Sequence, residues 1–130
     1  ARGTLTRLLD MFPADREDEI ASQLSLGLSH VISQKLVPRA DGQGRVAAME
    51  IVTNSQAVSN LIRTAKVEQI YSQLQTHTRD IPTERMRTLE RSLAEMVMKG
   101  LVKSDEAERW ANNPSAFWSD LRHLHGGTGR

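Results

Sequence analysis

The chain has 130 residues, of which 38% are hydrophobic, 4% aromatic and 25% charged, with 17 basic against 16 acidic side chains. That is enough for a domain of ordinary size with a real core, and the even charge lacks the basic excess expected of a nucleic-acid binder. The absence of cysteine excludes disulfides and thiolate metal sites, while no apolar run approaches the roughly 18 residues a membrane span needs and no signal peptide is visible.

The opening "ARGTLTRLLDMF" starts inside an amphipathic pattern without an initiator Met, which suggests a piece of a longer protein. Leu5, Leu8, Leu9 and Phe12 recur at helical spacing, and Pro13 ends that helix. A second helix is predicted from near Asp15. Glu17, Asp18 and Glu19 place negative charge at its start, and Ile20, Leu24, Leu28 and Val31 form its buried face. "HVISQKLVPR" (30–39) and "RVAAMEIVT" (45–53) alternate or run β-branched. "ADGQG" between them supplies the glycines of a hairpin turn. Such a hairpin is marginal alone and wants another sheet or a helix layer against it.

From Asn54 the period changes to 3.6. Asn54 or Ser55 can cap a helix over "AVSNLIRT" (57–64), where Val58, Leu61, Ile62 and Ala65 fall at i, i+3, i+4 and i+7. Ser59, Asn60 and Arg63 then lie off the apolar stripe. Val67, Ile70, Tyr71 and Leu74 predict a helix that fades at "THTRDIPT". The strongest helix is predicted over 84–99, with Met86, Leu89, Leu93, Met96 and Val97 on one stripe and Gly100 as its stop. Its Glu84, Arg85, Arg87, Glu90, Arg91 and Glu95 read as a solvated, salt-bridged outer face. Ser104 caps a short helix that ends before "NNP". Phe117, Trp118, Leu121 and Leu124 mark a last helical turn or two, and "HGGTGR" has the composition of a disordered tail.

Motifs with chemistry are scarce. A phosphate cradle needs G-x-x-x-x-G-K-[ST], so that loop N–H groups wrap the phosphates while Lys reaches them, and no stretch matches. "DGQGR" lies between strands and reads as a turn. His123 and His125 have no third ligand at useful spacing, and His30 and His77 are isolated. No serine, histidine or acid is spaced as a nucleophile with its base. Arg79, Arg85, Arg87 and Arg91 offer only a weak basic face. The residues by themselves therefore describe an α+β piece with a helical tail, no catalytic residue and no metal or cofactor ligand.

The order of segments resembles the C-terminal half of the PilT family, hexameric ATPases that power type IV pilus retraction. The resemblance runs from "TLTRLLDMFPADREDEIASQLS" (4–25) through "VISQKLVPR", "DGQGR" and "RVAAMEI" to "MRTLERSLAEMVMKGLVKSDEAERWANNPSAF", about residues 3 to 118. The family's retraction motif, A-I-R-N-L-I-R-E, is matched at Ala57, Asn60, Leu61, Ile62 and Arg63. Val58 is a mild change, while Ser59 stands for Arg and Thr64 for Glu. Where the family's next helix opens Gly-Met-x-Thr, Arg85 replaces the Gly and Met86 and Thr88 are retained.

The resemblance implies an α+β fragment: the C-terminal end of a RecA-like P-loop ATPase core (1–53), an all-α helical domain (54–120) and a disordered tail (121–130). It implies that the Walker A and B elements, with the ATP and Mg they hold, precede this chain. The chain is then not expected to hydrolyse ATP alone. The full-length protein is expected to be a cytoplasmic hexamer at the inner-membrane pilus or secretion platform, without nucleic acid or a transmembrane segment. Residues 57 and 60–63 would couple subunit motion to retraction. The alternative is a stand-alone helical interaction or adaptor module.

Overall fold

The computed structural model describes residues 2–72 and 86–127. The chain divides into two compact units, Ala1–Ile32 with Ile51–Met86, and Ser33–Glu50 with Arg87–Arg130. Its described elements are α1 (Arg2–Asp10), a 3-10 turn (Ala14–Arg16), α2 (Glu17–Gly27), β1 (His30–Pro38), β2 (Arg45–Thr53), α3 (Gln56–Arg63), a second 3-10 turn (Val67–Gln69), α4 (Leu89–Met98), α5 (Ser104–Trp110) and α6 (Pro114–Gly127). Leu74, His77, Arg79, "THTRDIPT", Glu84 and Arg85 lie outside the described residues.

The first unit is organised around Leu5 and Leu9 of α1, Ala21 of α2, Val31 and Val52 of the strands, Val58, Leu61 and Ile62 of α3, and Val67, Ile70 and Met86 beyond it. Leu5 and Leu9 sit one helical turn apart, so a single face of α1 is buried, as the spacing predicts. Phe12 departs from that pattern: α1 stops at Asp10, and Phe12 beyond it is 42% exposed. In α2 the fully buried positions are the small Ala21 and Ser25, with Ile20, Leu24 and Leu28 partly buried beside them. Val31 is buried from β1, not from α2.

The hairpin matches its predicted strands. Asn54 N–H donates to Ser29 O at 2.9 Å and Arg39 N–H to Gly44 O at 3.1 Å, which sets 31 opposite 52 and 37 opposite 46. Because successive side chains alternate, Val31, Val37, Ala48 and Val52 share the buried face. Ile32, Leu36 and Met49 share the other and are 64%, 49% and 39% exposed. The hairpin is the whole of the described sheet, and this face carries no covering layer among the described residues.

The second unit packs Val37 and Ala48 of the hairpin with Leu89, Leu93 and Ala94 of α4, Val102, Ala107 of α5, and Phe117 and Leu121 of α6. The start of α4 differs from the periodicity. Thr88 is the N-cap, its hydroxyl accepting from Arg91 N–H at 3.1 Å, so the helix opens at Leu89 and Met86 belongs to the other unit's core. A Thr ahead of the first turn is a better start signal than the apolar residue before it. The end is as predicted: Gly100 takes φ +71°, with its N–H on Val97 O and the Leu101 N–H on Met96 O. This pair of bonds satisfies carbonyls the last turn leaves free.

Two other expectations change. Ser104 makes no cap; it is the first residue of α5, after Lys103. Glu90, read as part of a solvated face, is 0% exposed. Its Oε1 accepts the backbone N–H groups of Asn112 and Asn113, each at 2.9 Å, just before α6. Its Oε2 is buried without a partner among the described residues. Of the other described residues of that face, Arg87 and Arg91 are both salt-bridged to Glu95, and all three are half-buried instead of solvated. The last helix continues through Leu121 and Leu124 to Gly127, so the described part of 121–130 is helical.

Candidate functional site

The site that the sequence singles out lies on α3, and its local structure explains how so short a helix holds. α3 has 8 residues, fewer than a helix needs to persist alone in water. At its start the Ser55 hydroxyl accepts from Val58 N–H at 3.3 Å, so of the two candidate caps Ser55 fills the role. Asn54 instead donates its side-chain amide to Ser25 O at 2.9 Å and Leu28 O at 2.7 Å, tying the end of α2 to the start of α3.

At its end Ala65 N–H bonds Ile62 O and Lys66 N–H bonds Leu61 O, the same two-bond closure that ends α4. Here the reversing residue is not glycine: Ala65 takes φ +55°. It therefore leaves the helix instead of continuing its apolar stripe. A side chain in that conformation costs roughly 1 kcal/mol. Ala65→Gly is expected to raise stability by about that amount, read as a higher urea midpoint with unchanged slope.

The motif residues sort by face. Leu61 and Ile62 are buried at 8% and 0% exposure, as the spacing predicts. Ala57, Asn60 and Arg63 are exposed. Asn60 and Arg63 meet one turn apart, Arg63 Nη2 donating to Asn60 Oδ1 at 2.6 Å. That bond holds the guanidinium in place and leaves its other donors available. Arg63 makes no ion pair among the described residues.

The two polar positions that depart from the family motif have local work. Ser59 Oγ donates to Ser25 O at 2.7 Å, a second tie from α3 to α2. Thr64 Oγ1 donates back to Asn60 O at 2.9 Å within the last turn. Together with the motif, the end of α2 forms a shallow hollow of about 480 Å³. Ser25 and Leu26 line it from α2, and Gln56, Ala57, Asn60 and Arg63 from α3. Leu26, at its rim, is 86% exposed. Sequence reasoning passed over Leu26, although a large apolar residue lying off the Leu24–Leu28 stripe was the available signal. Ser59, which the spacing places off the apolar stripe, is half-buried and bonded to α2.

Elsewhere the candidates have simpler settings. The Asp41 carboxylate accepts Gln43 N–H at 2.9 Å and pairs with Arg39 at 2.7 Å, closing the hairpin loop where Gly42 and Gly44 take positive φ. The Gln43 N–H first, and Arg39 second, hold the Asp41 carboxyl below its ordinary range. An anion there would compete with a carboxylate already in place. His123 and His125 are exposed on α6, and no three His, Cys, Asp or Glu gather as a metal site among the described residues. No described helix is long and apolar enough to cross a membrane.

Fold and sequence together define the class: an α+β segment, helices and a hairpin followed by further helices, with the fold of part of the pilus retraction motor PilT. No family model matches the chain. It is 42% identical over 117 residues to a twitching motility protein of Neisseria gonorrhoeae, a match covering 90% of this chain and 30% of that protein. It is 41% identical over 117 residues to the type IV pilus retraction ATPase PilT of Pseudomonas aeruginosa, covering 90% of this chain and 33% of that one. Among solved structures, the pilus retraction motor PilT with bound ADP superposes with a TM-score of 0.70 at 30% identity, over 88% of this chain and 30% of that one. The chain is thus a PilT-family segment, spanning about a third of the length of the curated relatives it matches.

Proposed function

We propose that this chain is the C-terminal portion of a PilT-like hexameric motor ATPase, and that α3 couples ATP-driven subunit motion to pilus retraction. In this reading residues 1–53 finish the RecA-like core and the helices from 54 onward form the helical domain. ATP and Mg are bound upstream of this chain. The full-length protein works in the cytoplasm, against the platform of the pilus machinery at the inner membrane. The likeness to a twitching motility protein and to a type IV pilus retraction ATPase supports it over a stand-alone adaptor. The observation that carries the coupling role is the Asn60–Arg63 pair, held outward on a helix that is tied at both ends and buried on its other face. A guanidinium so placed can make forked contacts with a neighbouring carboxylate or carbonyl without taking part in chemistry.

The test is Arg63→Ala in the full-length protein. ATP turnover is expected to stay within about twofold, since such a surface change costs little stability. Twitching motility is expected to fall at least tenfold. Normal motility with normal expression would return Arg63 to solvent cover. Equally, a full-length protein without ATPase activity would sink the motor assignment.

A further inference from the structure

The hairpin turn holds the chain's one Asp-Gly step, Asp41–Gly42, and the sequence has no Asn-Gly. In such a step the glycine backbone nitrogen can attack the aspartyl Cγ, because no side chain crowds the five-membered ring that forms. Residues 41–45 are all exposed, and nothing lies within 4 Å of the point where a Cβ would stand on Gly42. The Asp41 side chain already curls forward along the chain. Its Oδ1 reaches past Gly42 to accept the Gln43 N–H at 2.9 Å.

Arg39 stands against closure of that ring. Its Nη2 donates to Asp41 Oδ2 at 2.7 Å and its Nε to Oδ1 at 3.2 Å, a forked hold on the carboxylate. Its carbonyl accepts the N–H of Gly42, the attacking nitrogen, at 3.1 Å. With the carboxyl held below its ordinary range by the Gln43 N–H and then by this fork, less of it is in the neutral form that a nitrogen attacks. We propose that Asp41 is a site of spontaneous isomerisation to isoaspartate, and that Arg39 sets how slowly it proceeds.

The reaction needs no co-reactant but water. The Gly42 nitrogen bonds to Asp41 Cγ, the Cγ–OH bond breaks, and the hydroxyl leaves as water with the amide proton, giving a succinimide. Water then opens the ring. Cleavage of the bond from nitrogen to Cγ restores aspartate. Cleavage of the bond from nitrogen to the main-chain carbonyl carbon leaves isoaspartate, of unchanged mass, with the chain running through the former side chain. That path is one methylene longer, in a turn whose Arg39 N–H must meet Gly44 O and whose Ala40 N–H must meet Leu101 O. Val37, just before the turn, is fully buried in the core of the second unit. The isomer, separated by ion exchange, is therefore expected to unfold at a lower urea midpoint than the parent chain.

The experiment incubates the 130-residue chain for weeks in warm neutral buffer, folded and in urea. Isoaspartate is counted by methyl transfer from labelled S-adenosylmethionine with an isoaspartyl methyltransferase, and located by peptide mapping. It is expected in the peptide bearing Asp41, without a change of mass, and about tenfold more slowly in the folded chain than in urea. Unchanged mass separates it from deamidation at Asn54–Ser55, whose side-chain amide is tied to Ser25 O and Leu28 O. Arg39→Gln is expected to speed the folded reaction about threefold, the scale of an exposed ion pair, and to leave the rate in urea unchanged. Arg39→Lys, which keeps the charge without the fork, is expected to fall between. Asp41→Glu, which would need a six-membered ring, is expected to abolish the signal. Circular dichroism checks the fold of each variant. Isoaspartate absent from the Asp41 peptide of the unaltered chain, folded and in urea, would overturn the site. Unchanged rates in both Arg39 variants, or equal acceleration in urea, would overturn the role of Arg39.

Discussion

Phe117→Ala is expected to cost the second unit about 4 kcal/mol, the largest loss from any single truncation in that core. Phe117 is 0% exposed and is the largest fully buried side chain among the described residues. It sits on α6 among Leu89, Leu93 and Ala107, with its ring 5.1 Å from that of Trp118 and tilted by 58°. Removing the ring deletes its buried apolar surface and leaves a cavity that a close-packed interior fills only in part. Both tryptophans of the chain, Trp110 and Trp118, belong to this unit, so urea unfolding followed by their fluorescence reads it directly. Phe117→Leu should lose only about 1 to 1.5 kcal/mol, since most of the volume is retained. A loss below 1 kcal/mol for the alanine variant would show that the site relaxes or that the packing is not as described.

Glu90→Ala is expected to cost about 3 kcal/mol, for a different reason. The carboxylate is fully buried, and its Oε1 is the acceptor for two backbone N–H groups, those of Asn112 and Asn113. Truncation leaves both donors buried without partners, and an orphaned buried polar group costs more than a hydrogen bond contributes net. Glu90→Gln retains an acceptor oxygen at the same reach and should lose only about 1 kcal/mol. The amide hydrogens of Asn112 and Asn113 should exchange faster in the alanine variant and near normally in the glutamine one. Equal losses in the two variants would mean that the N–H groups are not what Glu90 contributes.

These two residues also mark how far the sequence could be read. Phe117 was legible because local pattern decides it: Phe117, Leu121 and Leu124 recur at helical spacing in a chain with few aromatics. The hairpin was legible for a similar reason, since alternation and the Asp-Gly turn are both written within a few residues. Glu90 was not, because its partners lie 22 and 23 residues further on, and only the tertiary fold brings them to it. A glutamate among arginines on a helix looks like solvent cover until that loop is placed.

The candidate site divides in the same way. Periodicity put Leu61 and Ile62 inside and left Asn60 and Arg63 outside, which is how they stand. It could not show that Ser59 and Asn54 both reach Ser25 O, because that carbonyl belongs to another helix. Nor could it place Ala65, whose positive φ belongs to a helix end that composition alone assigns to glycine.

Those ties to α2 give α3 a mechanical character. A two-turn helix held by its own hydrogen bonds would bend or fray under load. This one is clamped by Ser55 at one end, by the closure through Ala65 and Lys66 at the other, and sideways through Ser59 to the frame of α2. α2 and α3 therefore make one short lever arm, and a push at Arg63 arrives at Ser25 with little slack.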